Sequence, residues 1–280
     1  MIAPLVTGLA VFYLWPVFQT GYYSFTTWGP FGGSEFTGLA NYVALFEDDE
    51  LLRAVKNTLV YSAIVVAGIP LAIVVAALLN QRNLRGVGVY RALYFLPVVT
   101  MPAAIAMVWK WLYNGDHGLI NHVLSFVGIP GQNWASDSRF ALYAIAVIAV
   151  WMTVGYNMVI FLAGLQAIPK ELYEAAEIDG ASKIRQFRSI TLPLLTPSIF
   201  FVAVLTVIAS LQAFDVLYMI LGPTNPATVE SRTIVYLFYE KAFMENDKGA
   251  AAAMACVLLV FMMAITAVQF RLQKRWVHYV

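Results

Sequence analysis

Long apolar stretches alternate with short polar ones along this chain, and in six of them no Asp, Glu, Lys or Arg appears. They lie before Glu35, between Lys56 and Arg82, Arg91 and Lys110, Arg139 and Lys170, Arg188 and Asp215, and Lys248 and Arg271. At about 1.5 Å per residue, each is long enough as a helix to cross roughly 30 Å of hydrocarbon. Their apolar character is continuous where a spanning strand would alternate over about 10 residues, so helices are expected and a barrel is not. The pattern predicts an all-α membrane protein, a six-helix transmembrane bundle. The first run lacks the basic n-region of a signal peptide and stays apolar past Trp15, so it reads as a transmembrane helix. Because the chain opens directly on that helix, a preceding cytoplasmic tail is expected to be missing from the sequence.

Composition agrees with this class. The chain is 61% hydrophobic and 12% charged, against about half and about a quarter in an average protein. Its formal net charge of +1 and scattered Lys and Arg give no footprint for a nucleic-acid partner. Cys256 is alone in the last apolar run, where it serves packing. His117, His122 and His278 form no metal-binding spacing, so no metal site is expected.

With six spans, the loops at Asn80 to Arg91 and Gln166 to Leu192 share one side with the tail from Arg271. That side holds Arg82, Arg85, Arg91, Lys170, Lys183, Arg185, Arg188, Arg271, Lys274 and Arg275, while Glu35, Glu47, Asp48, Asp49, Glu50, Asp116, Asp137, Glu230, Glu240, Glu245 and Asp247 fall on the other. The Lys/Arg bias therefore predicts that the 166–193 loop and the C-terminus are cytoplasmic. On the external side, the Tyr113 to Ser138 segment is expected to hold a short interfacial helix with Leu119, Ile120, Val123, Leu124 and Phe126 on its apolar face. It either meets an external partner or rests on the bundle.

The 166–193 loop has its own pattern. Leu172, Ala175, Ala176, Ile178, Ala181, Ile184 and Phe187 recur near helical spacing, with charges at other positions around them. Pro169, with Glu171 and Glu174 close behind it, suits a helix start. Asp179-Gly180 breaks that helix, since Gly tolerates positive φ and close backbone approach, and Ser182 caps a second helix expected to run to about Ile190. Pro193 and Pro197 restrict the backbone where the loop joins the fifth span. Read from amphipathicity alone, an interfacial helix without a partner is the favoured reading of the loop.

The order Glu174-Ala175-Ala176, three residues, Gly180, nine residues, Ile190, one residue, Leu192-Pro193 resembles the signature loop of permease subunits in binding-protein-dependent ABC importers. Gly155-Tyr156, Leu165-Gln166-Ala167-Ile168-Pro169, Phe214-Asp215-Val216 and Leu221-Gly222-Pro223 resemble its carbohydrate branch, the maltose-type and glycerol-phosphate-type permeases of type I importers. The likeness runs from about Pro4 to Arg275. It implies that Glu174, Ala175, Ala176, Asp179, Gly180, Ser182 and Pro193 form a coupling loop seated in a cleft of a separate ATPase. It also implies a second permease, an ATPase dimer that binds ATP and Mg, an extracytoplasmic solute-binding protein, and a bacterial or archaeal cytoplasmic membrane. The chain itself has no G-x-x-x-x-G-K-[ST] phosphate loop, so no enzyme activity and no cofactor are assigned to it. The expected divisions are 1–52 for the first helix and external loop, 53–272 for the permease core with its coupling loop at 166–193, and 273–280 for the tail.

Polar side chains inside apolar runs tend to face the bundle interior or a water-filled cavity. The fourth and fifth runs offer Thr153, Asn157, Ser210 and Gln212 among Trp151, Gly155, Tyr156 and Phe214. Amide and hydroxyl groups beside aromatic platforms suit a sugar, and the resemblance places its path in these spans. The competing reading is hydrogen-bonded glue between helices. Asp215 falls near the outer boundary, where a structural or outer-gate role is expected in preference to proton coupling. Lys110 sits between Trp109 and Trp111 at the outer end of the third run, snorkelling while the indoles anchor.

The expected function is therefore a sugar or oligosaccharide permease of an ATP-driven importer. Within the family the alternative is a glycerol-phosphate importer, which calls for basic groups near the mouth or path. From other classes come an ion-coupled secondary transporter, disfavoured by the absence of midplane acids and inverted repeats, and a membrane anchor that moves nothing.

Overall fold

The computed structural model describes residues 2–28, 34–81 and 84–277, the side chains of Ser34, Arg275 and Trp276 excepted. Arg82 and His278, which figured in the sequence reading, lie outside the described residues. Among the described residues, five helices are long and apolar enough to cross a membrane: Ala3–Tyr23, Asp49–Leu79, Ala141–Gln166, Thr196–Leu221 and Lys248–Lys274. The third apolar run is not the straight helix that its composition predicts. Val87–Val99 and Pro102–Leu112 meet at 101°, which makes six spans when the bent pair counts as one.

The bend has a local cause. Pro97 inside the first arm lacks an N–H, and Pro102 pushes the preceding Met101 out of the helical region. Thr100 and Met101 are accordingly extended, with ψ 139° and 134°. The fifth span is interrupted more gently and without a proline: residues 212–214 break the helix before Asp215–Leu221 resumes it.

The chain groups into two compact units, Met1–Thr58 with Val229–Ile265, and Leu59–Thr228 with Thr266–Val280. This division cuts the chain elsewhere than the expected 52/53 and 272/273 boundaries. In the first unit, a two-stranded antiparallel sheet pairs Thr26–Trp28 with Ser34–Phe36, a small addition to an otherwise helical fold. The Asn41 amide donates to the carbonyls of Ser24 and Thr26, each at 2.9 Å. Lys248 lies over the Trp28 ring. Leu45, Leu51, Ala54, Ile234, Leu237, Ala253 and Met254 form the core. Arg232, 9% exposed at its side chain, is clamped between Glu50 and Glu240. From sequence alone both acids are simply charges of external loops. Cys256 is half-buried. The Ala3–Tyr23 helix buries none of its residues within this chain.

The second unit is built on the fourth span. Val154, Met158, Phe161 and Leu165 pack with Ile69, Ala72, Ile73 and Ala76 of the second span and with Leu195 and Val202 of the fifth. Gly155 lets the first arm of the third span come into backbone contact, since a methyl there would collide with the Tyr94 carbonyl. Gly164 leaves room for the side chains of Leu195 and Ser198. The second arm, Pro102–Leu112, packs on Asp215–Leu221, and the Tyr113 hydroxyl donates to the Ala144 carbonyl at 3.0 Å. The expected short helix of the 113–138 segment forms at Leu119–Ser125.

Candidate functional site

The 166–194 loop folds as its caps dictate. A helix runs Lys170–Ile178 after Pro169, which stands at the N-cap. Its end is a Schellman motif: the Ala181 N–H donates to the Ala176 carbonyl at 2.8 Å and the Gly180 N–H to the Glu177 carbonyl at 3.1 Å. That geometry requires a left-handed residue at the turn, and Gly180 has φ +73°. The space beside Gly180 is open within this chain, so its glycine answers to conformation here and not to an intramolecular approach.

Ser182 then caps Lys183–Gln186, its hydroxyl accepting from the Arg185 N–H at 3.4 Å. The helical path continues beyond the expected Ile190 through a wider turn, Phe187–Thr191, and on through Leu192–Leu194 with Pro193 in its first turn. The Pro193 carbonyl accepts from the Thr196 hydroxyl at 2.7 Å, joining the loop to the fifth span.

The loop has two faces. Tyr173, Phe187 and Ile190 pack against the core of the second unit, and the Tyr173 and Thr191 hydroxyls lie 2.8 Å apart. On the other face Glu174, Ala175, Asp179, Gly180 and Ser182 are exposed, with Ala176 half-buried. Ile178 and Ile184 are 87% and 70% exposed. Lys183 pairs with Glu177 and ties the two short helices together. Two large apolar side chains standing in the open on a polar loop are an unfinished surface, and the inner face anchors it to the bundle.

The polar positions of the fourth and fifth spans fall into two groups. Asn157 and Ser210 are buried; Asn157 reaches Thr206 at 3.4 Å, and Ser210 meets Ser62 and the Val207 carbonyl. Thr153 turns back on its own helix, donating to the carbonyls of Ala149 and Val150. Gly155 is buried at the Tyr94 contact. Trp151, Tyr156, Gln212 and Asp215 are instead exposed within the chain. Trp151 makes an edge contact with Trp109 at 5.7 Å, and Phe214 stacks on Tyr218 at 5.1 Å. The sequence reading missed Ser62 and Thr206. Both are polar residues in apolar runs, the same signal that singled out Asn157.

A helical membrane bundle with a capped, two-faced loop between its fourth and fifth spans defines a class, and comparison with known proteins names it. Residues 68–278 match the family described as the binding-protein-dependent transport system inner membrane component. The chain belongs to this family and is the inner-membrane permease component of such a system.

Among relatives, the sn-glycerol-3-phosphate transport system permease protein UgpA of Yersinia pestis is 36% identical over 282 residues, spanning 100% of this chain and 94% of its own. UgpA of Agrobacterium fabrum is 36% identical over 284 residues, spanning 100% and 95%. Among solved structures, a bacterial ABC transporter involved in the import of the acidic polysaccharide alginate shares the fold. Its TM-score is 0.87 at 22% identity, covering 98% of this chain and 94% of that one. Membership of this family leaves the ion-coupled carrier and the passive anchor without support.

Proposed function

We propose that this permease carries a sugar, an oligosaccharide or a closely related polyol across the membrane in an ATP-driven importer. In this reading the 166–193 loop and the C-terminus face the cytoplasm, as the Lys/Arg bias predicts. A dimer of ATPase subunits binds ATP and Mg, and its closure moves the loop through contacts at Glu174, Ala175, Ala176, Asp179, Gly180 and Ser182, with Pro193 stiffening the joint. A second permease completes the path. An external binding protein delivers the solute. Nothing in this chain is assigned a catalytic role.

The observation that carries the proposal is the loop's exposed face: Ile178 and Ile184 are left open while Tyr173, Phe187 and Ile190 hold the loop to the core. Exposed apolar groups framed by charges are what a protein partner covers. For the path, Trp151, Tyr156, Gln212 and Asp215 are the exposed side chains that meet solute, and Asn157, Ser210, Thr153 and Gly155 hold the helices that present them. Phe214, stacked on Tyr218, shapes the same stretch.

A second solute reading, glycerol phosphate, is favoured by the 36% identity to the UgpA permeases over the whole chain. One experiment tests the framework and separates the two solutes. The tagged chain is extracted gently from its membrane and what co-purifies is identified by mass spectrometry. An ATPase, a second permease and a binding protein are expected, and the binding protein's preference between neutral sugars and glycerol 3-phosphate then names the cargo. A chain that stays solitary under several mild conditions overturns the proposal.

A further inference from the structure

The 113–138 segment folds into a polar shelf at the end of the third span. Asn121, buried, is its tie: its amide donates to the carbonyls of Asn114 and Gln132, both at 2.8 Å, and its oxygen accepts from the Trp134 indole at 2.7 Å. Against this shelf lies a cavity of about 310 Å³, walled by Lys110, Tyr113, Asn114, Asn133 and Ser136 on one side and by the 220–226 turn on the other.

The hydrogen bonds around the cavity fix what it offers a ligand. The Asn114 side-chain oxygen accepts from the N–H groups of Asp116 (3.0 Å) and His117 (2.9 Å). The Asn133 oxygen accepts from the Gly115 N–H (2.8 Å), and the Asn225 oxygen from the Ala227 N–H (2.9 Å). An N–H cannot accept, so these contacts settle the amide orientations. The amide acceptors are thus occupied by the shelf's own backbone, and the Asn114 and Asn133 donors remain for the cavity.

Lys110 adds three more donors and a positive charge, and among the described residues no ion pair engages it. No carboxylate lines the cavity. Asp116 and Asp137 line the adjoining hollow, beyond Asn133 and Ser136, and Asp137 is paired with Arg139 at 2.7 Å. Tyr113, Ile220 and Leu221, all buried, give the cavity an apolar floor.

A site of donors, one cation and an apolar floor selects an oxygen-rich anion that also carries C–H surface. We propose that this cavity receives a soluble anionic polyhydroxylated solute, a polyol phosphate or a sugar acid, at the outer face as the binding protein releases it and before it enters the path. Its volume suits one such unit and not an oligosaccharide. The inference rests on the importer reading for its placement outside the membrane.

The test uses the assembled complex in proteoliposomes, with sn-glycerol 3-phosphate as probe and glycerol as its uncharged counterpart. The rate at which an amine-acylating reagent modifies Lys110 is followed by mass spectrometry, with the exposed Lys56, at the outer end of the second span, as internal control. Protection follows 1 + [L]/Kd, so glycerol 3-phosphate at ten times its dissociation constant is expected to slow Lys110 modification about tenfold while Lys56 is unaffected. Glycerol should give no protection. Asn133→Asp keeps an oxygen for the Gly115 N–H but replaces the donor with negative charge, and should abolish the effect. Lys110 modification unchanged by glycerol 3-phosphate, slowed equally by glycerol, or slowed only by docking of solute-free binding protein overturns the site. ATP-driven uptake is measured in the same vesicles. Uptake without protection of Lys110 sinks only the capture site, whereas failure of ATP to drive uptake sinks the importer reading.

Discussion

The 170–194 loop and the polar positions of the fourth and fifth spans are both polar interruptions of an apolar chain, yet they are organised on different length scales. In the loop, Ala181 reports to Ala176, Gly180 to Glu177, Arg185 to Ser182 and Tyr173 to Thr191, all within one short stretch. In the spans, Asn157 finds Thr206 across 49 positions and Ser210 finds Ser62 across 148. The loop can therefore fold from its own backbone chemistry and leave a face open to another protein. The spans spend their polarity on holding helices together, and what they leave for a solute is the remainder.

This contrast breaks first at Gly155. Adding a side chain there drives atoms into the Tyr94 carbonyl, a rigid backbone group. Overpacking of this kind typically costs about 1–3 kcal/mol and occasionally more. Gly155→Leu is expected to lower the unfolding temperature of the purified chain and its level in the membrane. Retention of both would show that the two helices are not locked together as described.

Gly180 is the opposite case. Its left-handed φ makes a β-branched residue unfavourable by roughly 1–2 kcal/mol, but the strain is confined to an exposed turn. Gly180→Val is expected to leave the chain inserted and assembled while reducing binding-protein-stimulated ATP hydrolysis about tenfold, the factor corresponding to about 1.4 kcal/mol. Gly180→Asn sharpens the test, because Asn adopts the left-handed region more readily than other side chains. Recovery with Asn means that conformation is what coupling needs; failure with both means that the partner's cleft admits no side chain.

In the spans, Asn157→Leu removes an interhelical hydrogen bond whose kind is worth about 0.6–2 kcal/mol. Stability should fall by that order with solute preference unchanged. Tyr156→Ala, one residue away on an exposed position, should do the reverse, shifting solute preference with little loss of protein. If both variants changed preference alike, the division between helix glue and path would fail.

The same contrast explains what was legible beforehand. Charge-free runs located the spans because crossing hydrocarbon constrains composition directly. The loop's caps were readable because Gly180 and Ser182 act within a few residues of themselves. Arg232 was only half readable: Glu240 lies 8 positions along the chain, but Glu50 comes from a distant helix and joins the pair only after packing. The third span's bend was half-visible. Pro97 and Pro102 announced a disturbance, but prolines are tolerated in membrane helices, and the 101° turn goes with the packing of Val87–Val99 on the fourth span and of Pro102–Leu112 on Asp215–Leu221. Sequence likewise could not distinguish Asn157, turned inward, from Tyr156, turned outward, because adjacent polar residues in a uniformly apolar helix leave no phase from which to read a face.

The smallest expected effect falls at Lys183, where the loop's local logic is tested most finely. Its ammonium bridges to Glu177 across the Gly180 turn, but 83% of the lysine side chain and 54% of the glutamate's remain exposed. A pair so open to water is worth roughly 0–1 kcal/mol and is screened by salt. If the Schellman turn and the Ser182 cap fix the angle between the two short helices, Lys183→Ala should leave stimulated ATP hydrolysis near wild type in both low and high salt. If the ion pair sets that angle instead, the variant should lose coupling at low salt and the wild-type protein should lose it as salt is raised. The backbone bonds at Ala181 and Gly180 point to the first outcome, since they close the turn without help from either charge.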